Sequence, residues 1–167
     1  MRKKQILSLV AIIIVGVTLF MIHGIAKKAR SKPNSSLTLL HAITLDSTAV
    51  EISLTGADTS LVVVFNSECD ICIIELEELL VNYANFERYS ILLLSHQSIN
   101  ELLRIQANYN LGSYANFELL KMDELRTEDP FRSASNPSLF VFDHNGKLIL
   151  QKKGYTSPEL LIKQLHK

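Results

Sequence analysis

The spacing of apolar and polar residues divides the chain into three stretches. From Ile6 to Ala26 the sequence is almost unbroken apolar, interrupted only by Ser8, Thr18 and His23. About twenty residues at a rise of 1.5 Å span roughly 30 Å, the thickness of a bilayer core, so this stretch predicts a transmembrane helix over residues 1–26. Residues 27–36 are basic and polar, contain Pro33, and read as a tether. From Leu37 to Lys167 short apolar runs alternate with amphipathic ones, the pattern of a single globular domain.

Within that domain Leu39 to Leu45 and Val50 to Leu54, split by Asp46-Ser47-Thr48, predict a β-hairpin. Gly56-Ala57-Asp58 is a turn, and Leu61 to Asn66 begins with an uninterrupted apolar run of the kind buried on both faces of a sheet. Ile73, Ile74, Leu76, Leu79, Leu80, Tyr83 and Phe86 then recur at three- and four-residue steps. With Glu75, Glu77, Glu78 and Asn82 in the gaps they predict an amphipathic helix to Phe86. Ser90 to Ser95 is a second buried strand. Ile99 to Tyr109 is a helix opened by Ser98 as N-cap, with Glu101 completing a capping box. Phe117 to Met122 reads as a strand and residues 123–136 as a charged loop. Leu139 to Asp143 and Lys147 to Gln151 form a hairpin around His144-Asn145-Gly146, and Ser157-Pro158-Glu159 opens a last helix with proline at its first position. This order predicts an α/β fold: a central mixed β-sheet with helices on both faces.

Charge and composition narrow the setting. The 167 residues carry no formal net charge, so bulk electrostatics point to no nucleic acid partner. Arg2, Lys3 and Lys4 precede the apolar segment and Lys27, Lys28, Arg30 and Lys32 follow it, a balance that does not orient the helix. The basic start and Gly24-Ile25-Ala26 resemble a cleavable signal, but the apolar stretch is longer than the usual signal core and favours an uncleaved anchor. No cysteine directly follows it, which excludes a lipoprotein anchor. The expectation is a single-pass protein of the cytoplasmic membrane whose domain lies on the extracytoplasmic side, with a cleaved, secreted form as the alternative. That side permits disulfides. Asn34-Ser35-Ser36 matches a glycosylation sequon, a triplet too common to carry weight.

The chain has two cysteines, and they form one Cys-x-x-Cys motif, Cys69-Asp70-Ile71-Cys72. An apolar strand feeds the motif and a helical pattern leaves it. The first N–H groups of a helix are unpaired and favour an anion, so a thiolate at Cys69 is stabilised there and becomes nucleophilic near neutral pH. Cys72, one turn on, is placed to attack a mixed disulfide on Cys69 and resolve it. A structural bridge closing a four-residue loop removes little chain entropy, and two cysteines do not complete a zinc site. The redox-active pair is itself the reactive centre, so no cofactor or metal is called for.

In these features the sequence resembles the thioredoxin-like fold, specifically the membrane-anchored TlpA-type (TlpA/ResA) thiol–disulfide oxidoreductases, over Leu37 to Lys167. The resemblance rests on Val62-Val63-Val64-Phe65-Asn66-Ser67-Glu68-Cys69-Asp70-Ile71-Cys72, on Glu75 three residues later, and on Asn136-Pro137-Ser138-Leu139-Phe140-Val141-Phe142-Asp143 before Asn145-Gly146-Lys147. It implies that Pro137 is the family's cis proline beside the sulfurs, and that the backbone of Asn136 pairs with an extended substrate strand. It implies protein thiol and disulfide partners, among them apocytochromes or misoxidised secreted proteins, and a membrane electron donor.

Departures from the family shape the expectation. Glu68 stands where relatives often place tryptophan, and Asp70-Ile71 lacks their proline. Asp70 sets negative charge beside Cys69 and opposes ionisation of its thiol. The buried carboxylate of cytoplasmic thioredoxins falls at Val63. Glu75 is then the candidate to move the Cys72 proton, with a solvated helix face as its plain alternative, which also accounts for Glu77 and Glu78. These features lean toward a reductant or isomerase rather than a strong oxidant. Two competing readings remain: a Cu(I) chaperone using Cys69, Cys72 and a distant histidine such as His144, and a redox-inactive binding module that keeps the fold. A peroxidase lacks its usual proline- and threonine-bearing approach here. Asp123, Glu124, Glu128 and Asp129 precede Pro137 as a solvated loop that can also shape partner choice.

Overall fold

The structure, a computed structural model, describes residues 36–56 and 59–165. The anchor expected over residues 1–26, nearly all of the tether, and Ala57-Asp58 of the first turn lie outside the described residues. Among the described residues no helix is long and apolar enough to cross a membrane.

Among the described residues seven strands form one mixed sheet in the order β2-β1-β5-β4-β3-β6-β7. β1 (Leu39–Ile43) and β2 (Ala49–Ser53) are the expected hairpin. β3 (Ser60–Val64) pairs in parallel with β4 (Ser90–Ser95), which pairs in parallel with β5 (Phe117–Met122). β6 (Ser138–Phe142) runs antiparallel on the other edge of β3 and turns into β7 (Leu148–Lys153). All five residues of β3 are buried, as its apolar run requires. In the β6–β7 turn Gly146 has φ +72°, and a Cβ there would collide with the Leu37 carbonyl, which accepts no substitute for glycine.

Strand alternation sorts the core into two layers. Leu61 and Val63 of β3 face one cluster and Val62 and Val64 the other. Three helices fill the first layer: α1 (Asp70–Val81) with Leu76 and Leu79, α2 (Ile99–Asn108) with Leu102 and Ile105, and α4 (Pro158–Leu165) with Leu161. The helices are therefore unevenly placed on the two faces. Among the described residues the second face carries a single short helix, α3 (Asp129–Arg132), together with Leu40, Ala42 and Leu54.

Three local expectations are corrected. α1 stops at Val81 instead of running to Phe86, because both the backbone N–H and the Nδ2 of Asn82 donate to the Glu78 carbonyl, at 3.0 and 2.8 Å. An asparagine side chain competing for a helix carbonyl ends the helix, and a 3-10 turn over Tyr83–Asn85 then carries Phe86 into the core. The segment expected as loop between Asp123 and Asn136 contains α3, held by burial of Phe131. Its ring stands edge-on to Phe140 at 5.0 Å and to Phe142 at 6.0 Å. Glu128 is not a free loop acid. Its Oε1 lies 2.6 Å from His41 Nδ1, while Glu51 lies 3.3 Å from the other ring nitrogen and also accepts from Arg126.

The capping box forms as expected, with Ser98 Oγ accepting from the Glu101 N–H and Glu101 Oε2 accepting from the Ser98 N–H. Truncating the one large side chain that α3 buries tests how the second face is closed. Phe131→Ala is expected to lower the unfolding free energy by roughly 3–5 kcal/mol, read as a fall in the urea midpoint. A loss below about 1 kcal/mol would show that α3 does not seal that layer.

Candidate active site at the strand–helix junction

β3, β4 and β5 are parallel and end at one edge of the sheet, where β6 begins. In open α/β sheets the loops beyond the strand ends at such an edge, where the chain changes direction across the sheet, are the usual place for chemistry. Phe65 still bonds to β4 through its N–H on the Leu94 carbonyl, at 3.0 Å, and the chain then turns through Asn66, Ser67 and Glu68. Cys69 is the N-cap of α1, extended at φ −101° and ψ 104°, and its Sγ accepts from the Cys72 N–H at 3.3 Å. The expected anion position at a helix start is thus occupied by sulfur.

The two cysteines are joined as a disulfide with their Cα atoms 5.2 Å apart. They are not equivalent. Cys72 is 2 % exposed and packs in the first core layer, whereas Cys69 is half-buried and open on one side. Only Cys69 is accessible to a large partner. Its sequence neighbours Glu68, Asp70 and Ile71 are all exposed, so the two flanking carboxylates act on it as screened surface charges.

Glu75 follows Cys72 by one turn on the same side of α1, and it is 2 % exposed. The solvated-face alternative is thereby excluded for Glu75, while Glu77 is exposed as that reading requires. Glu75 Oε1 accepts from the Thr156 N–H at 3.2 Å; among the described residues Glu75 Oε2 and Thr156 Oγ1 have no hydrogen-bond partner. Burial pushes the Glu75 carboxyl up to about 7. The Thr156 N–H opposes that rise, and the nearby Glu78 charge adds to it. Glu78 in turn accepts from the Tyr155 hydroxyl, a bond that pushes this phenol up to about 12 and keeps it neutral. Val63, where cytoplasmic thioredoxins carry their carboxylate, is a plain core residue here. The buried acid comes from the helix.

The Asn136–Pro137 peptide bond is cis. Val64 pairs with Ser138, so the next step along this antiparallel ladder sets Pro137 against Phe65, four residues before Cys69. Pro137 is buried and its carbonyl accepts from the Gly154 N–H at 2.8 Å; Asn136 is exposed. Tyr155 and Thr156 follow Gly154 directly, which ties the proline loop, the end of β7 and Glu75 into one neighbourhood. Thr156 carried no signal in the sequence, since it meets Glu75 across a separation of 81 residues.

His144 lies in the β6–β7 turn, beyond Phe142. Phe142 pairs with Ser60 at the start of β3, whereas Cys69 follows the end of that strand. His144 is therefore at the opposite end of the sheet, and the copper-chaperone reading loses the third ligand named for it. Among the described residues no three or more His, Cys, Asp or Glu side chains are grouped to hold a metal ion.

No family model matches the chain, and no curated protein matches it in sequence. Solved structures do match. A thiol:disulfide interchange protein of the thioredoxin family from Chlorobium tepidum superposes with a TM-score of 0.64 at 10% identity, over 80% of this chain and 94% of that one. A secreted disulfide oxidoreductase of Mycobacterium tuberculosis, homologous to DsbE of E. coli, gives 0.60 at 15% identity over 75% and 93%. A thiol peroxidase from Chromobacterium violaceum gives 0.61 at 15% identity over 80% and 85%.

A raised, buried carboxyl makes stability depend on pH. Glu75 moves from an ordinary value of 4.5 to about 7, so the folded state binds this proton more tightly than the unfolded chain. Its contribution is full below pH 4.5 and is lost as pH rises through 7, a shift worth roughly 3 kcal/mol. Glu75→Gln is expected to flatten this slope and to be more stable than the parent above about pH 7 in urea unfolding. A parent whose stability is level between about pH 5 and 8 would contradict a buried, proton-binding Glu75. The sheet order, the half-exposed cysteine capping a helix and the likeness to these structures identify the chain as having the thioredoxin-like fold.

Proposed function

We propose that this chain is a thiol–disulfide oxidoreductase of the cell envelope that reduces disulfides in protein substrates through Cys69 and Cys72. One observation carries the reading: an accessible sulfur at a helix start is paired with a buried sulfur one turn from a buried carboxyl. In the reduced protein the Cys69 thiolate attacks a client disulfide. One client sulfur leaves as a thiolate, and a Cys69–client mixed disulfide forms. Cys72 then attacks Cys69 Sγ, which closes the Cys69–Cys72 disulfide and releases the second client thiolate. Two electrons pass to the client.

Cys72 enters this second step as a buried thiol and must lose a proton as it attacks. Glu75 is the group placed to take it, and a carboxyl near 7 is poised between donor and acceptor at neutral pH. The exposed backbone at Asn136, next to Pro137, offers a client an extended strand to pair with, so the client lies along the loop while its sulfur meets Cys69. The exposed carboxylates of Glu68 and Asp70 set screened negative charge beside Cys69, a weak bias against its thiolate that supports the reducing direction. The apolar segment from Ile6 to Ala26 supports a membrane anchor, and a redox-active cysteine pair suits a domain on the extracytoplasmic side, where disulfides persist. A membrane electron donor would re-reduce the pair there, and apocytochromes or misoxidised secreted proteins are the client classes this setting suggests.

Trapping tests the division of labour. Cys72→Ala is expected to accumulate mixed disulfides through Cys69 on non-reducing gels, and Cys69→Ser to accumulate none. The parent should turn over insulin disulfides with a supplied dithiol, and Glu75→Gln should lose about tenfold or more in the closing step, most strongly above pH 7. A pair that never cycles and traps nothing would leave the chain a binding module.

A further inference from the structure

β3 and β4 end side by side, and the turn after each leads into a helix. A side chain from the second turn grips the first. Gln97, between β4 and α2, accepts the Ser67 N–H on its Oε1 at 2.7 Å and donates from Nε2 to Ser67 Oγ, also at 2.7 Å. A backbone N–H can only donate, so the oxygen of the amide must face it, which fixes the amide orientation. Gln97 is itself held from behind. Its N–H donates to Ser95 Oγ at 3.3 Å, that hydroxyl lies 3.4 Å from Oε1, and Ser95 is fully buried.

The grip completes the turn that delivers the reactive sulfur. The Glu68 N–H is taken by Asn66 Oδ1 at 2.8 Å and the Cys69 N–H by the Asn66 carbonyl at 3.2 Å. With Gln97 on Ser67, each N–H from Ser67 to Cys69 has an acceptor. That order sets Cys69 in the extended cap geometry in which its Sγ faces the Cys72 N–H. Released from Gln97, Ser67 loses two bonds at once, the junction loosens two residues before the sulfur, and the helix start can fray.

We infer that Gln97 is a positioning residue for Cys69: its two hydrogen bonds to Ser67 hold the strand–helix junction in the geometry that stabilises the Cys69 thiolate. The inference rests on the oxidoreductase reading and adds to it a residue from a different βα unit. Gln97 hydrogen-bonds to neither cysteine; it acts through Ser67. Glutamine suits the task because one planar amide supplies both the acceptor for the N–H and the donor for the hydroxyl.

The test is the pH profile of iodoacetamide alkylation of Cys69 in the reduced chain, in a Cys72→Ala background so that one thiol reacts. Gln97→Leu keeps the bulk and removes both bonds. It is expected to slow alkylation at pH 7 by about three- to tenfold, with the rates converging above about pH 10, where the thiol ionises regardless. Ser67→Ala removes only the hydroxyl bond and should give a smaller shift in the same direction. This milder change serves if Gln97→Leu does not fold, as judged by its thermal melt. The double variant should be no slower than Gln97→Leu alone, since both changes break one clamp. Superposable profiles, or a slowing equal at every pH, would overturn the inference. A shifted profile, together with a parent chain that keeps both cysteines yet reduces no insulin disulfides, would sink the oxidoreductase reading while leaving the effect of the clamp on Cys69 standing.

Discussion

β3 has a strand on each edge and a core layer on each face, so its backbone bonds and all five side chains are committed. Such a strand can shift neither register nor face without unpairing both neighbours and exposing an apolar row. The site depends on that rigidity. The end of β3 decides where the chain turns, the turn decides where Cys69 caps α1, and the antiparallel register of β6 against β3 brings Pro137 level with Phe65. A slip by one residue would move the proline loop away from the sulfurs and turn Val63 out of its core layer.

Against this rigid frame the chain keeps one costly group. A carboxyl buried between α1 and the segment after β7 gives up hydration and recovers a single N–H from Thr156, with one oxygen and the Thr156 hydroxyl unpaired among the described residues. A core residue of similar size would stabilise the fold more. The group sits one helical turn from the buried sulfur, where the proposed cycle has a proton to move, and perturbed titratable groups concentrate at functional sites. The buried acid of this chain stands on the helix and not on the strand: Val63 is hydrocarbon, and Glu75 is buried on α1.

Much of this was legible in the residues. The apolar run of β3, the capping box of α2, the turn residues of the β6–β7 hairpin and the proline opening α4 are local signals, set by interactions spanning a few residues. The cysteine pair and its place between strand and helix were legible too. Other features were not. Periodicity scored Glu75 as a polar gap in an amphipathic helix, because it does not register that a charged residue beside a redox motif is buried against Thr156, in the segment between β7 and α4. Asn82 cut α1 short by a side-chain bond to Glu78 that no apolar pattern reports. α3 is too short and too charged to stand out, and Phe131 holds it only once Phe140 and Phe142 are in place.

The local code was therefore enough for the elements, their order and the place of the two cysteines at a strand–helix junction, since strand alternation, helix spacing and caps act within one or two turns. Folding in three dimensions decided which groups surround those sulfurs. It buried Glu75 against Thr156 over 81 residues of separation and joined Gln97 to Ser67 over 30. It also sent His144 to the far end of the sheet. These are consequences of strand order and register, and a contact made by pairing β3 with β4 and β6 leaves no periodic trace along the chain.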